Sequence, residues 1–170
     1  FAGADSTLER FDRALGTMKF SGEIAVGAPR AAVFAKLRDI RFFASCIDGV
    51  KDLVPRDDRI FDAVLETRVA YMTFRFKVTA ELTEVTAPET IAAKIEGAPM
   101  GLVGRLTATS STRLSETGGN TVIHYEIDTA LTGKLGSIGQ PVLKAKAKDM
   151  EKQFAKNLQA AFAPTAQGAA

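Results

Sequence analysis

The feature that most constrains this chain is a long amphipathic helix, read near its C-terminal end, that follows a long series of strands. Gln140 to Phe162 contains no glycine, and its one proline, Pro141, stands in the first turn, where the missing N–H costs nothing. Leu143, Ala147, Met150, Phe154, Leu158 and Phe162 recur at spacings of three and four, which places them on one face. Lys144, Lys148, Lys152, Lys156 and Glu151 fall mostly on the rest of the surface. Residues 55–132 read as strands. A terminal helix after antiparallel strands must bury its apolar stripe on that sheet. The expected class is therefore α+β, a curved antiparallel sheet of about seven strands wrapped around the helix, with room between them for a ligand.

The upstream pattern fills in the order of elements. Met18 to Val26 alternates, with Met18, Phe20, Gly22, Ile24 and Val26 on one face and Lys19, Ser21 and Glu23 on the other. Ala28-Pro29 opens a short helix whose apolar face is Val33, Phe34 and Leu37. Asp39 caps a second one carrying Ile40, Phe42 and Phe43, and Ile47-Asp48-Gly49 is the turn that ends it. Strands follow at Val50 to Pro55, Phe61 to Val69 with a break near Tyr71, Phe74 to Thr83, Ile91 to Ile95, Leu102 to Leu114 and Ile123 to Leu131. Gly118-Gly119-Asn120 reads as a hairpin turn. The predicted order is β, α, α, six β, α. Residues 1–17 are expected to be an N-terminal extension or tag remnant, residues 18–162 the folded domain, and residues 163–170 a flexible tail.

Composition narrows the function classes. At 170 residues, 46% hydrophobic and 25% charged, the chain is long enough for a sizeable core and is neither disordered nor membrane-spanning in character. A net charge of +2 does not by itself argue for nucleic acid. Cys46 is the only cysteine, so no internal disulfide can form and a reducing, cytoplasmic setting fits. Phe1 to Asp5 lacks the basic and apolar regions of a signal peptide.

Chemistry-bearing residues are sparse. His124 is the only histidine and has outward parity with Glu126 and Asp128, which reads as a solvated strand face and not as a metal site. Cys46 reads as a small buried hydrophobe. Gly133, Gly136 and Gly139 match neither phosphate-loop spacing and are expected to ease a tight passage from strand to helix. Glu81 with Glu84, and Glu126 with Asp128, lie outward or in turns, outside any cleft where acid–base work is done. No catalytic residue, metal ligand or cofactor is assigned.

The inward strand positions carry more signal. Gly22, Ala63, Ala80, Ala93, Gly97, Gly104 and Ala108 stand among Phe74, Phe76, Ile95 and Ile127, and there is no tryptophan. Closely packed interiors interdigitate large residues, so many small ones mean either a closer helix or unfilled space. The reading carried forward is an apolar cavity lined by Ala63, Leu65, Phe74, Phe76, Ala93, Leu106, Ala108 and Tyr125 from the sheet. Leu143, Ala147, Met150 and Phe154 line it from the helix. Tyr71, Tyr125, Thr67, Thr129 and Ser110 are its candidate polar anchors. Lys144, Lys148 and Lys152 form a basic surface for an anionic membrane or an acidic partner, unless they serve only solubility.

Met18-Lys-Phe-Ser-Gly-Glu23, Ala28-Pro29-Arg30, Ser45-Cys46-Ile47-Asp48-Gly49-Val50 and Gly133-Lys-Leu-Gly-Ser-Ile-Gly-Gln140 together resemble the carbon monoxide dehydrogenase G-subunit family. The element order is that of the helix-grip fold shared by START and Bet v 1-like domains. The likeness covers residues 18 to 162, and where members often have proline after the Cys-Ile pair this chain has Asp48. It implies a ligand-binding or maturation accessory of a molybdenum hydroxylase at the inner membrane face, with long-chain quinones carried by some members. Many members end in a membrane-binding tail, and the sequence stops before one, whether removed or lacking. The primary expectation is a non-enzymatic binder of a quinone or lipid. The alternatives are a recruitment or maturation protein for the dehydrogenase, and a cyclase- or dehydratase-like enzyme.

Overall fold

The computed structural model describes residues 18–69 and 71–162, so the expected N-terminal extension and C-terminal tail lie outside the described residues. The elements run β1 (Met18–Val26), α1 (Arg30–Arg38), α2 (Ile40–Ser45), β2 (Val50–Pro55), β3 (Ile60–Val69), β4 (Met72–Thr86), β5 (Thr90–Pro99), β6 (Gly104–Thr117), β7 (Asn120–Gly133) and α3 (Gln140–Phe162). A single-turn 3-10 helix, Lys134–Ser137, interrupts the glycine-spaced passage before α3. This turn was not expected. It seats Leu135, 1% exposed, among Val69, Phe74, Phe76 and Leu131. Gly133 starts the passage at φ +64°, and a Cβ there would come within 2.5 Å of the Val103 carbonyl oxygen.

The seven strands form one curved antiparallel sheet in the order β1-β7-β6-β5-β4-β3-β2. Strands β2 to β7 are a simple meander, because each turn returns the chain beside the strand it has just left. β1 instead pairs with β7, so β1 and β2 occupy opposite edges, and α1 and α2 carry the chain between them. The Asp39 carboxylate accepts from the backbone N–H of Arg41 and Phe42, which starts α2 where the sequence places a cap. Thr121, fully buried, donates its hydroxyl to the Ala28 carbonyl at 2.7 Å and ties β7 to the β1–α1 connection.

Register puts the expected residues on the inner face. Ile24 pairs with Ile123 and Gly22 with Tyr125, while Leu114 pairs with Ile123 and Leu106 with Leu131. α3 lies over this face with its closest approaches to β1 and β3, toward the two edges of the sheet. Its C-terminal half is tied down by polar contacts. Gln159 donates to the Ala25 carbonyl at 2.8 Å, Asn157 to the Cys46 carbonyl at 3.1 Å, and Gln153 pairs with Asp48. Among the described residues, no helix is long and apolar enough to cross a membrane.

Candidate functional site

Two apolar clusters hold α3 to the sheet, one toward each end. The first joins Ile24, Val26, Val33, Phe34, Leu37, Ile91, Leu114, Ile123 and Leu158, with Phe43, Phe154, Tyr125 and Phe162 packed against them. Phe43 and Phe154 meet as a tilted ring pair 5.0 Å apart. The second joins Val69, Phe74, Phe76, Leu131 and Leu135, with Leu65, Leu102, Leu106, Ile138 and Leu143 around them. Between the two runs a band of inward residues that belongs to neither: Ala63, Ala80, Ala93, Ile95 and Ile127 on the sheet, Ala147 and Met150 on α3. All seven keep part of their surface exposed although their neighbours in register are inner-face residues.

The sequence-derived lining is therefore divided among three places. Leu65, Phe74, Phe76, Leu106 and Leu143 gather in the second cluster, where the Phe74 and Phe76 rings stack 6.1 Å apart. Tyr125 and Phe154 edge the first cluster. Ala63, Ala93, Ala147 and Met150 stand in the band between, and Ala108 is buried on the inner face of β6 without joining either cluster.

One polar pair faces this interior. The Tyr125 hydroxyl faces the carboxylate of Glu151, from the middle of α3. Burial, and then the neighbouring Glu151 carboxylate, raises the Tyr125 phenol well above the ordinary tyrosine range. The phenol ring lies across Gly22, where a Cβ would approach its oxygen to 2.7 Å. Sequence reasoning placed Glu151 with the lysines on the outer surface. It is half-buried, and the available signal was its spacing, four beyond Ala147 and three before Phe154.

A cleft of about 210 Å³ opens beside the band, between α3 and β3, bordered by Asp48, Gly49, Glu66, Thr67, Arg68, Lys146, Asp149, Met150 and Gln153. Of these only Thr67 and Met150 were expected at the site. A shallower depression of about 480 Å³ lies elsewhere, between α1 and the β4–β5 turn, bordered by Ala31, Phe34, Ala35, Arg38, Asp39, Ala87 and Pro88.

The remaining anchors separate. Tyr71 is not an interior anchor: at the β3–β4 turn it is 93% exposed, because a turn residue leaves the pleat that alternation describes. Thr129 donates to the Met18 carbonyl at 3.1 Å, and Ser110 is half-buried on the inner face opposite Ile127. On the outer face His124 contacts Glu23 at 3.5 Å and Ser115 at 3.1 Å, while Glu126 and Asp128 are exposed. Among the described residues no His, Cys, Asp and Glu side chains converge as a cation site. Cys46 is 1% exposed, and burial pushes its thiol up against a smaller lowering by Ser45. Lys144, Lys148 and Lys152 are exposed along α3.

Comparison with solved structures identifies this architecture. A conserved protein from Geobacillus kaustophilus superposes with a TM-score of 0.78 at 23% identity, over 85% of this chain and 95% of its own. The Zhui aromatase/cyclase from a Streptomyces species gives 0.66 at 12% identity, over 89% and 98%. Ara h 8.0201 gives 0.58 at 15% identity, over 85% and 99%. These likenesses show the START/Bet v 1-like helix-grip fold. No protein among the curated sequences matches the chain. Residues 22–163 match the model of the carbon monoxide dehydrogenase G-subunit family, CoxG, nearly the whole span of strands and helices described above. The chain belongs to the CoxG family.

Proposed function

We propose that this protein binds an elongated apolar molecule, a quinone or a lipid, between α3 and the inner face of the sheet. It does so without catalysis, as an accessory of a molybdenum-containing carbon monoxide dehydrogenase or related hydroxylase at the membrane. The observation that carries this reading is the band of small and half-exposed inward residues, Ala63, Ala80, Ala93, Ile95 and Ile127, left between the two packed clusters beneath Ala147 and Met150. Native interiors leave few voids unless something occupies them, and apolar sites with a few polar groups suit apolar ligands. Entry is by the cleft between α3 and β3, where Met150 and Thr67 stand at the border.

The Tyr125–Glu151 pair supplies the polar fixture. The phenol has one O–H to donate, to a carbonyl head group in place of Glu151, while its oxygen or the Glu151 carboxylate accepts from a hydroxyl head group. The exposed lysines Lys144, Lys148 and Lys152 support contact with the dehydrogenase partner or an anionic membrane.

Organic extraction of protein purified from quinone-producing hosts, followed by mass spectrometry, tests the reading. An isoprenoid quinone or fatty acyl species in stoichiometric amount is expected. Recovery of no apolar molecule from several hosts, together with no binding of a hydrophobic fluorophore, would leave recruitment or maturation of the dehydrogenase as the function.

A further inference from the structure

Five of the six exposed large hydrophobic side chains among the described residues stand at one end of this molecule, the sixth being Val54 on the edge strand β2. Tyr71 and Met72 sit at the β3–β4 turn, Met100 and Val103 at the β5–β6 turn, and Val142 in the first turn of α3. Tyr71 is 93% exposed and Val103 82%. These segments are held side by side. The Met100 N–H donates to the Arg75 carbonyl at 2.7 Å, and the Lys134 N–H donates to the Val103 carbonyl at 2.9 Å. Leu102 and Leu143 plug into the same buried cluster beneath them. The patch is therefore a cap of apolar side chains on a rigid base.

The same end is basic. The segments 67–76, 97–107 and 133–145 that form this end carry Arg68, Arg75, Arg105, Lys134 and Lys144 and no acidic residue. Arg75 pairs with Glu66 at the margin, 3.3 Å away. At the other end the acidic turn residues Asp57, Asp58, Glu84, Glu89 and Glu116 are offset by Arg56 and Arg59 and by α1, whose Arg30 pairs with Glu89 and whose Arg38 borders the β4–β5 turn. The segments that carry the apolar cap are instead basic throughout. An apolar cap ringed by basic groups is complementary to an anionic lipid surface, with the apolar groups below the head groups and the cations among the phosphates.

We infer that this pole docks on an anionic lipid bilayer, with Tyr71, Met72, Met100, Val103 and Val142 entering the interfacial layer and α3 standing over the surface by its N-terminal end. The docked orientation also brings the β3 end of the α3–β3 cleft, at Thr67 and Arg68, toward the lipid. The inference stands on exposure and charge, whatever occupies the interior.

The chain has no tryptophan, so a single introduced indole reports its own environment. Val103→Trp, with Met100→Trp as a second reporter, is mixed with vesicles of phosphatidylcholine and phosphatidylglycerol in equal parts, and with pure phosphatidylcholine. Asp58→Trp, at the opposite pole, is the control. The expected result is a blue shift of emission for the polar-cap reporters on the anionic vesicles only, and none for Asp58→Trp. Combined Tyr71→Ser, Met100→Ser and Val103→Ser should lower partitioning at least about tenfold, and each basic residue removed at the rim about fivefold. Cap reporters that are folded by circular dichroism but give no shift would overturn the inference. So would an equal shift from Asp58→Trp, or undiminished binding of the triple serine variant. The vesicles contain no quinone, so failure here leaves the reading of the interior untouched.

Discussion

Gly22 lies directly opposite Tyr125 across β1 and β7, and the phenol ring covers it so closely that a Cβ would stand 2.7 Å from the oxygen and 3.0 Å from two ring carbons. Gly22→Ala is expected to push the ring away from its place beside Glu151. Better strand propensity offsets part of this, but overpacking dominates, so the net loss should be about 1–2 kcal/mol in denaturant unfolding. Combined with Tyr125→Phe, the two changes should couple by more than about 0.5 kcal/mol, the limit for independent sites. Additive effects would show that the two residues do not constrain each other.

Tyr125 gives stability a signature at high pH. Its folded phenol titrates above the ordinary value, chiefly through burial and then through Glu151. Between the unfolded value near about 10 and the higher folded one, the unfolded state has lost a proton that the native state keeps. Stability from this group is therefore full below about pH 10 and declines as pH rises beyond it. Tyr125→Phe should flatten the decline. The chain has two tyrosines, so Tyr71→Phe isolates Tyr125 for measurement of tyrosinate absorbance.

Packing differs along α3, and paired substitutions should reveal it. Leu158 is fully buried in the first cluster, and Leu158→Ala is expected to cost about 2–5 kcal/mol. Ala147 stands on α3 between Leu143 of the second cluster and Phe154 of the first, and belongs to neither. Ala147→Trp should block binding of a hydrophobic fluorophore while changing stability little. A loss of about 1–3 kcal/mol instead, the usual cost of overpacking, would mean that no space was there.

Cys46 reports on the fastening of α3. It is 1% exposed, its thiol is held up by burial, and its carbonyl accepts from Asn157 while the next turn is held by Gln153 and Asp48. A thiol reagent should modify the native protein only through opening of this region. Asn157→Ala is expected to cost about 1 kcal/mol and to raise the labelling rate about fivefold if opening is local. Labelling at the rate of a free thiol in the unmodified protein would contradict the buried placement.

Alternation and helical periodicity determined most of the architecture from the sequence alone. Two-residue periods separated inner from outer residues on every long strand, the Asp39 cap and the Pro141 start marked helix entries, and the order β, α, α, six β, α emerged without tertiary information. These are local preferences, readable because each residue's face follows from its own neighbours. What lies opposite a face is not local. The pairing of Tyr125 with Glu151 depends on the rotation and height of α3 over the sheet, set by Gln159 on Ala25, Asn157 on Cys46 and Leu158 in the first cluster. Type-based reasoning sent Glu151 to solvent because carboxylates usually stay there, although its spacing belonged to the apolar stripe. Tyr71 erred the other way, an aromatic expected inside that the turn turns outward. The basic and apolar pole was equally invisible in a nearly neutral composition. Its turns are far apart in the chain and meet only because an antiparallel sheet returns every second connection to the same end.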